Sequence, residues 1–348
     1  MCDIIQQNQG AANVGSEDEN TMSSTQSTFS TPISSSNSAS TARTGGVWRM
    51  ALAMALSGTI GLFVIESGLP VELVVLSRCV IGALALGLWI SARREWVTLA
   101  RGDLLWMAVG GMALVINWVA LFHAYAFAGI GIATVVYHVQ PFFLVLVSAL
   151  GGEVIGWRRV PFMVLALAGV VLSSGVVHEM QQMQVAQTAA AASHGQAVVY
   201  GVLLSLLAAA LYTLTVVATR RVKQVPPAQT AMLQMTAGGA VLALWALPML
   251  LGAGAWRSAS VPLSQTLVCI ATLGLVHTAV MYVLMYGAFQ RLGAAAIAIL
   301  SFIYPAIALT VDLLWFGIRP DGWQWLGIAM IAAAIAGYRI SELRAAKT

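Results

Sequence analysis

Hydrophobic positions dominate this chain in long blocks. After a polar first stretch, ten apolar runs follow one another, at about 47–65, 71–91, 103–126, 129–150, 158–177, 197–219, 228–251, 264–289, 293–316 and 321–340. Each is long enough to cross a hydrocarbon core as a helix, which takes roughly 20 residues. The runs are continuous rather than alternating with period two, which predicts a helical bundle and not a barrel. The expected fold is an all-α integral membrane protein with ten transmembrane helices.

Charge orients the bundle. One set of alternate loops carries Arg43, Arg49, Arg93, Arg94, Arg101, Arg158, Arg159, Arg220, Arg221, Lys223, Arg291, Arg339, Arg344 and Lys347. The other set carries only Arg257 and Arg319, and Arg78 lies inside a run. A split of 14 to 2 is what the positive-inside rule expects of ten helices with both termini in the cytoplasm. The expected location is a cell (inner) membrane, multi-pass. A chain that is 59% hydrophobic and 9% charged is too apolar for a soluble protein, so its net charge of +4 carries no nucleic-acid reading. Cys2, Cys79 and Cys269 have no paired spacing, which argues against a disulfide framework or a metal site.

Residues 1–44 differ in kind. Ser or Thr fills 15 of the 24 positions from Thr21 to Thr44, a composition that cannot bury a core and predicts a disordered tail. No basic segment followed by an apolar run is present there, so the tail does not read as a signal peptide. Its acids at Glu17, Asp18 and Glu19 also fit a transit peptide poorly.

A weak internal repeat runs through the rest. A shift of 164 residues lays Gly129 on Gly293 and Pro141 on Pro305, and a shift of 157 lays Pro70 on Pro227 and Gly82 on Gly239. Residues 47–177 and 197–341 then form two five-helix halves joined by a non-cytoplasmic connection at 178–196. Five is odd, so the second half enters the membrane from the opposite side. Such inverted repeats are a transporter design, with the substrate site near the midplane between the halves.

Pro70 is followed eight positions later by Arg78. The segment GIGIATVVYHVQPFFLVLVSALGGE ends the fourth run with Pro141 and Glu153, and LGAAAIAILSFIYPAIALTVDLLWFG forms the ninth. Over roughly 47–340 the chain resembles the EamA-type branch of the drug/metabolite transporter superfamily. The second half departs from the first: Gly317 stands where Glu153 stands, and the nearby acid is Asp312. The likeness implies a carrier, an exporter of amino acids or related compounds.

Polar groups at membrane depth are costly, which makes each a candidate site residue. Asn117, His138, Gln140, His277 and Tyr304 fall near the midplane. Tyr137, His138 and Pro141 share one helical face; Ser301, Tyr304, Pro305 and Asp312 share another. A mid-helix proline removes a backbone hydrogen bond and kinks the helix, so Pro141 and Pro305 mark both faces as cavity linings. Thr278, Tyr282 and Tyr286 form a third stripe. The substrate-binding candidates are Asn117, Tyr137, His138, Gln140, His277, Tyr282 and Tyr304. Arg78, Asp312 and Glu66 are candidate gating or coupling charges, with Arg78 expected to pair with one of the two acids. Glu72 reads as a water-interface residue, His123 stands alone, and Glu153 reads as a loop partner of Arg158 and Arg159.

No G-x-x-x-x-G-K-[ST] motif, catalytic triad or HExxH occurs, so neither ATP-driven transport nor an enzyme is expected, and no cofactor or metal. The reading is a secondary carrier for small neutral, zwitterionic or aromatic metabolites, working by alternating access. No Lys or Arg falls at the midplane, which argues against polyanions. A channel-like facilitator and an intramembrane enzyme are the alternatives. The expected partners are a small-molecule substrate and the lipid bilayer, not nucleic acid, with homo-oligomerisation left open.

Overall fold

Stretches of apolar residues this long can satisfy their backbone in lipid only by coiling, and the computed structural model is helical, with no strand among the described residues. It describes residues 34–154, 156–174, 191–251, 261–317 and 320–345, with backbone alone at 34–43, 129–131, 191–195, 247–251, 312, 342–343 and 345.

Thirteen helices are described: α1 (Ser34–Gly58), α2 (Ile60–Ser67), α3 (Val71–Arg93), α4 (Arg101–Tyr137), α5 (Gln140–Leu150), α6 (Val160–Ser173), α7 (Ala191–Arg221), α8 (Pro227–Leu251), α9 (Leu263–Gly274), α10 (Met281–Phe289), α11 (Ala294–Ser301), α12 (Ile303–Leu314) and α13 (Gly322–Ala345). A single π-helical turn, Leu275–Val280, joins α9 to α10. Seven stretches are long and apolar enough to cross a membrane: Thr44–Ser67, Val71–Arg93, Arg101–Ala128, Ile132–Leu150, Gln196–Arg221, Leu263–Phe289 and Ala294–Val311. They match seven of the ten expected spans. The other three, 158–177, 228–251 and 321–340, coincide with α6, α8 and α13. Of these, α6 is described over only 14 residues, fewer than a crossing needs.

Two boundaries differ from expectation. Helix α1 begins at Ser34, inside the stretch expected to be unstructured; the apolar turns beyond Thr44 supply the nucleus, so the upstream turns need only propagation. Residues 1–33 and most of the 178–196 connection lie outside the described residues. Helical bonding also runs through Gly129–Gly131, so the third run and the first part of the fourth form one helix, α4.

The packing pairs helices from opposite ends of the chain. Helix α4 lies on α7, α3 on α8, α6 on α13, α5 on α11, and α1 on α10 and α12. Small residues permit the closest of these approaches. A Cβ on Gly169 would stand 2.7 Å from the Gly327 carbonyl oxygen, and one on Gly327 would strike the Gly169 carbonyl. Gly111 of α4 and Gly238 of α8 are in similar backbone contact. Lipid offers no hydrophobic drive between helices, so such close van der Waals seams hold the bundle together.

Candidate functional site

Both mid-helix prolines break their helices as the sequence implies. Pro141 has no N–H to give, and the chain leaves α4 at Tyr137 and resumes as α5 at Gln140. Pro305 acts likewise, with the break between α11 and α12 at Phe302. The two breaks meet. The His138 ring stacks on Tyr304, with centroids 5.7 Å apart and planes 15° off parallel, and lies 6.2 Å from Phe302. His138 is buried, and its Nδ1 is 2.7 Å from the Thr134 carbonyl oxygen, the contact that fixes its orientation.

Aromatic rings extend from this junction, with one methionine between them. Tyr137 meets Tyr212 edge-on at 6.2 Å. Tyr212 reaches the Met285 sulfur, one residue from Tyr286 and three from Tyr282. Tyr282 contacts Tyr286 at 5.4 Å and Trp118 at 6.0 Å. On the other flank, the Tyr125 hydroxyl lies beside Tyr304 and Thr134. Asn117 lies beside the Tyr137 hydroxyl. Its Nδ2 donates to the Ala208 carbonyl at 2.6 Å, yet its buried Oδ1 has no partner among the described residues. An unmet acceptor in a membrane core costs about 1–3 kcal/mol, so it marks a place where another donor belongs.

Arg78 caps the far end of the series. Its guanidinium is buried 4.5 Å from the centroid of the Trp118 ring. Nε donates to Thr278 Oγ1 at 3.2 Å and an Nη to the His277 carbonyl at 3.4 Å. The π turn explains this geometry. Thr278 Oγ1 reaches back five residues to the Leu273 carbonyl at 2.8 Å, and the widened turn frees a backbone carbonyl for Arg78. His277 itself faces away, with Nε2 2.8 Å from Thr59 Oγ1 and its ring 5.0 Å from Phe63.

The comparisons with known proteins fit this arrangement. The profile of the EamA-like transporter family matches residues 199–339. An uncharacterized transporter, YxxF of Bacillus subtilis (strain 168), is 30% identical over 315 residues, covering 88% of this chain and 91% of its own. The chain belongs to the EamA-like transporter family. A solved crystal structure superposes with a TM-score of 0.68 at 21% identity, covering 84% of this chain and 96% of that one. The likeness extends the shared fold well beyond the second half. This EamA-type protein is a multi-pass membrane transporter.

Of the sequence candidates, Asn117, Tyr137, His138, Tyr304 and Tyr282 come together in the EamA-type bundle. Gln140 is buried at the same break, where its backbone carbonyl lies 3.4 Å from Thr213 Oγ1. His277 sits apart, beyond Arg78. Trp118, Tyr125 and Tyr212 belong to the cluster and were not singled out from the sequence, since single aromatics in an apolar run look like packing. The expected Arg78 to Glu66 pair is corrected. Glu66 Oε2 accepts from Gln265 at 2.7 Å and Oε1 from Trp315 at 3.3 Å, while Arg78 uses neutral acceptors and a ring. The Asp312 side chain lies outside the described residues. His123 does not stand alone; its Nε2 is 3.8 Å from Glu72. Glu153 departs from its expected loop pairing. Its Oε2 takes a 2.8 Å bond from Arg220 and its Oε1 a 2.8 Å bond from the Ala294 N–H, so it ties α5 to α7 and α11. Partial burial alone would raise this carboxyl, but the Ala294 and Arg220 bonds outweigh it and hold it below its ordinary range.

Proposed function

We propose that this transporter is a secondary carrier for small neutral, zwitterionic or aromatic metabolites, such as amino acids, and that it moves them outward by alternating access. Asn117, Tyr137, His138, Gln140, Tyr282, Tyr304 and His277 line the route, with Arg78, Glu66 and Asp312 as its gating or coupling charges. The observation that carries the reading is the His138–Tyr304 stack. Two helices broken at prolines abut through aromatic faces, beside a buried Asn117 oxygen that has no donor among the described residues. Such a junction offers ring faces to a flat or apolar side chain and an acceptor to an ammonium or amide. The two-half organisation draws support from the packing. An exchange of the halves, first run with sixth through fifth with tenth, turns the α4–α7 contact into the contact of α1 with α10. It maps α3–α8, α5–α11 and α6–α13 onto themselves. The 14-to-2 charge split supports cytoplasmic termini in a cell (inner) membrane.

The test is counterflow in proteoliposomes, with labelled phenylalanine, leucine and glutamine outside and each unlabelled amino acid inside. A carrier shows trans-stimulation; a facilitator does not. Tyr137→Phe, His138→Ala and Tyr304→Phe are expected to reach normal abundance and melting temperature while lowering exchange. Unimpaired exchange in all three would move the site away from the junction.

A further inference from the structure

A second polar site lies at the cytoplasmic ends of α5, α7 and α10. A cavity of about 570 Å³ opens there, and its wall holds Ser148, Glu153, Arg220, Arg221, Lys223 and Arg291. Four cations thus face one carboxylate. Topology alone asks for cations in cytoplasmic loops, but not for four of them to converge on one hollow. Like charges brought together repel, and although Arg221, Lys223 and Arg291 are exposed to solvent, their summed field attracts anions into the hollow.

The carboxylate already present shows what the hollow accepts. Each Glu153 oxygen has its own donor, Arg220 for one and the Ala294 N–H for the other, both at 2.8 Å. Arg220 also donates to Ser148 Oγ at 3.1 Å, which fixes the guanidinium in place. Gly293 makes room, since a Cβ there would lie 3.0 Å from Glu153 Oε1. Paired donors on a planar anion, one of them a guanidinium, are the usual chemistry of carboxylate recognition.

We propose that this hollow is a cytoplasmic capture site for small carboxylates, in which Glu153 is a resident occupant that an incoming carboxylate displaces. The proposal rests on the carrier reading for its purpose: the arriving group is the carboxylate of a substrate on its way to the aromatic junction. Displacement also frees the tie that Glu153 makes between α5, α7 and α11. Arg221, Lys223 and Arg291 draw the anion in, while Arg220 and the Ala294 N–H hold it.

Binding can be read without transport. The probe is trifluoroacetate, followed by ¹⁹F NMR line broadening on the purified full-length protein in detergent at fixed ionic strength. Glu153→Ala vacates the hollow and should bind the probe at least about tenfold tighter than the parent, the factor expected when a competing charge-assisted contact is removed. Adding Arg220→Gln to Glu153→Ala should abolish the gain. Arg221→Gln with Lys223→Gln, which leaves the Glu153 contacts intact, should weaken binding several-fold. Gly293→Ala serves as a milder version of the first change, since it crowds Glu153 without removing it, and should also tighten binding. Equal affinity in the parent, Glu153→Ala and Gly293→Ala would overturn the proposal. So would a gain that survives loss of Arg220, or equal displacement by chloride, which would mean diffuse attraction only. Failed counterflow with intact probe binding would instead count against the carrier reading.

Discussion

Replacing Trp118 by Leu should cost more than lost packing, because it uncovers a buried cation. The Arg78 guanidinium is 4.5 Å from that ring and 2% exposed. A desolvated cation–π contact contributes about 2 kcal/mol. Hydrogen bonds in membrane bundles average roughly 0.6 kcal/mol and reach about 1.7, which sets the scale for the bond to Thr278. Double-mutant cycles separate these contributions. Arg78→Gln with Trp118→Leu should show a coupling near 2 kcal/mol, and Arg78→Gln with Thr278→Val about 1 kcal/mol. Arg78→Gln with Glu66→Gln should be additive, since Gln265 and Trp315 hold that carboxylate. The assay is reversible unfolding in mixed dodecylmaltoside and SDS micelles, read by circular dichroism. A coupling below about 0.5 kcal/mol for Arg78 and Trp118, within the additivity error, would refute the argument. An equal or larger coupling for Arg78 and Glu66 would restore the ion pair.

Two further predictions follow from the seams and the latch. Gly169→Leu or Gly327→Leu should force α6 and α13 apart and destabilise by roughly 1–3 kcal/mol or more, with a matching fall in membrane abundance. Gly61→Ala, where nothing lies within 4 Å of the new methyl, should be neutral or slightly stabilising, and thermal melts in detergent would check both. Glu153 is held below its ordinary range, so its latch contributes fully above that range and is lost as pH falls through the depressed folded value. Glu153→Gln should therefore flatten the acid limb of a melting-temperature profile, and an unchanged limb would assign it to another group.

Much of this architecture was legible because lipid leaves a chain few choices. Seven of the ten apolar runs reappear as helices able to cross, and both prolines sit at helix breaks, since neither outcome depends on a distant partner. Tyr137, His138 and Tyr304 were legible as polar groups beside those prolines. Their meeting could only be inferred from a faint repeat. Trp118 and Tyr212 were not legible, because their partners are 160 and more residues away in one case and on facing helices in the other. The π turn at Leu275–Val280 was also hidden. Nothing in LVHTAV departs from ordinary helix composition, and the turn is held by Thr278 and Arg78 together. Charges were read worst. Proximity in sequence paired Glu153 with Arg158 and Arg159, whereas the helix ends of the folded bundle bring Arg220 to it from 67 residues away.

That error points to how the two ends of the bundle differ. At one end of the bundle, Glu66 is met by an amide and an indole, neutral donors that join α2 to α9 and to the residue after α12. At the other end, Glu153 is met by a guanidinium and a helix N-terminus, among three further cations. The first closure is insensitive to salt and to anions; the second is exposed to both. On the capture-site proposal, an arriving carboxylate loosens one end of the molecule and leaves the other closed. On the same proposal, that asymmetry gives a direction to loading that helix packing alone does not supply.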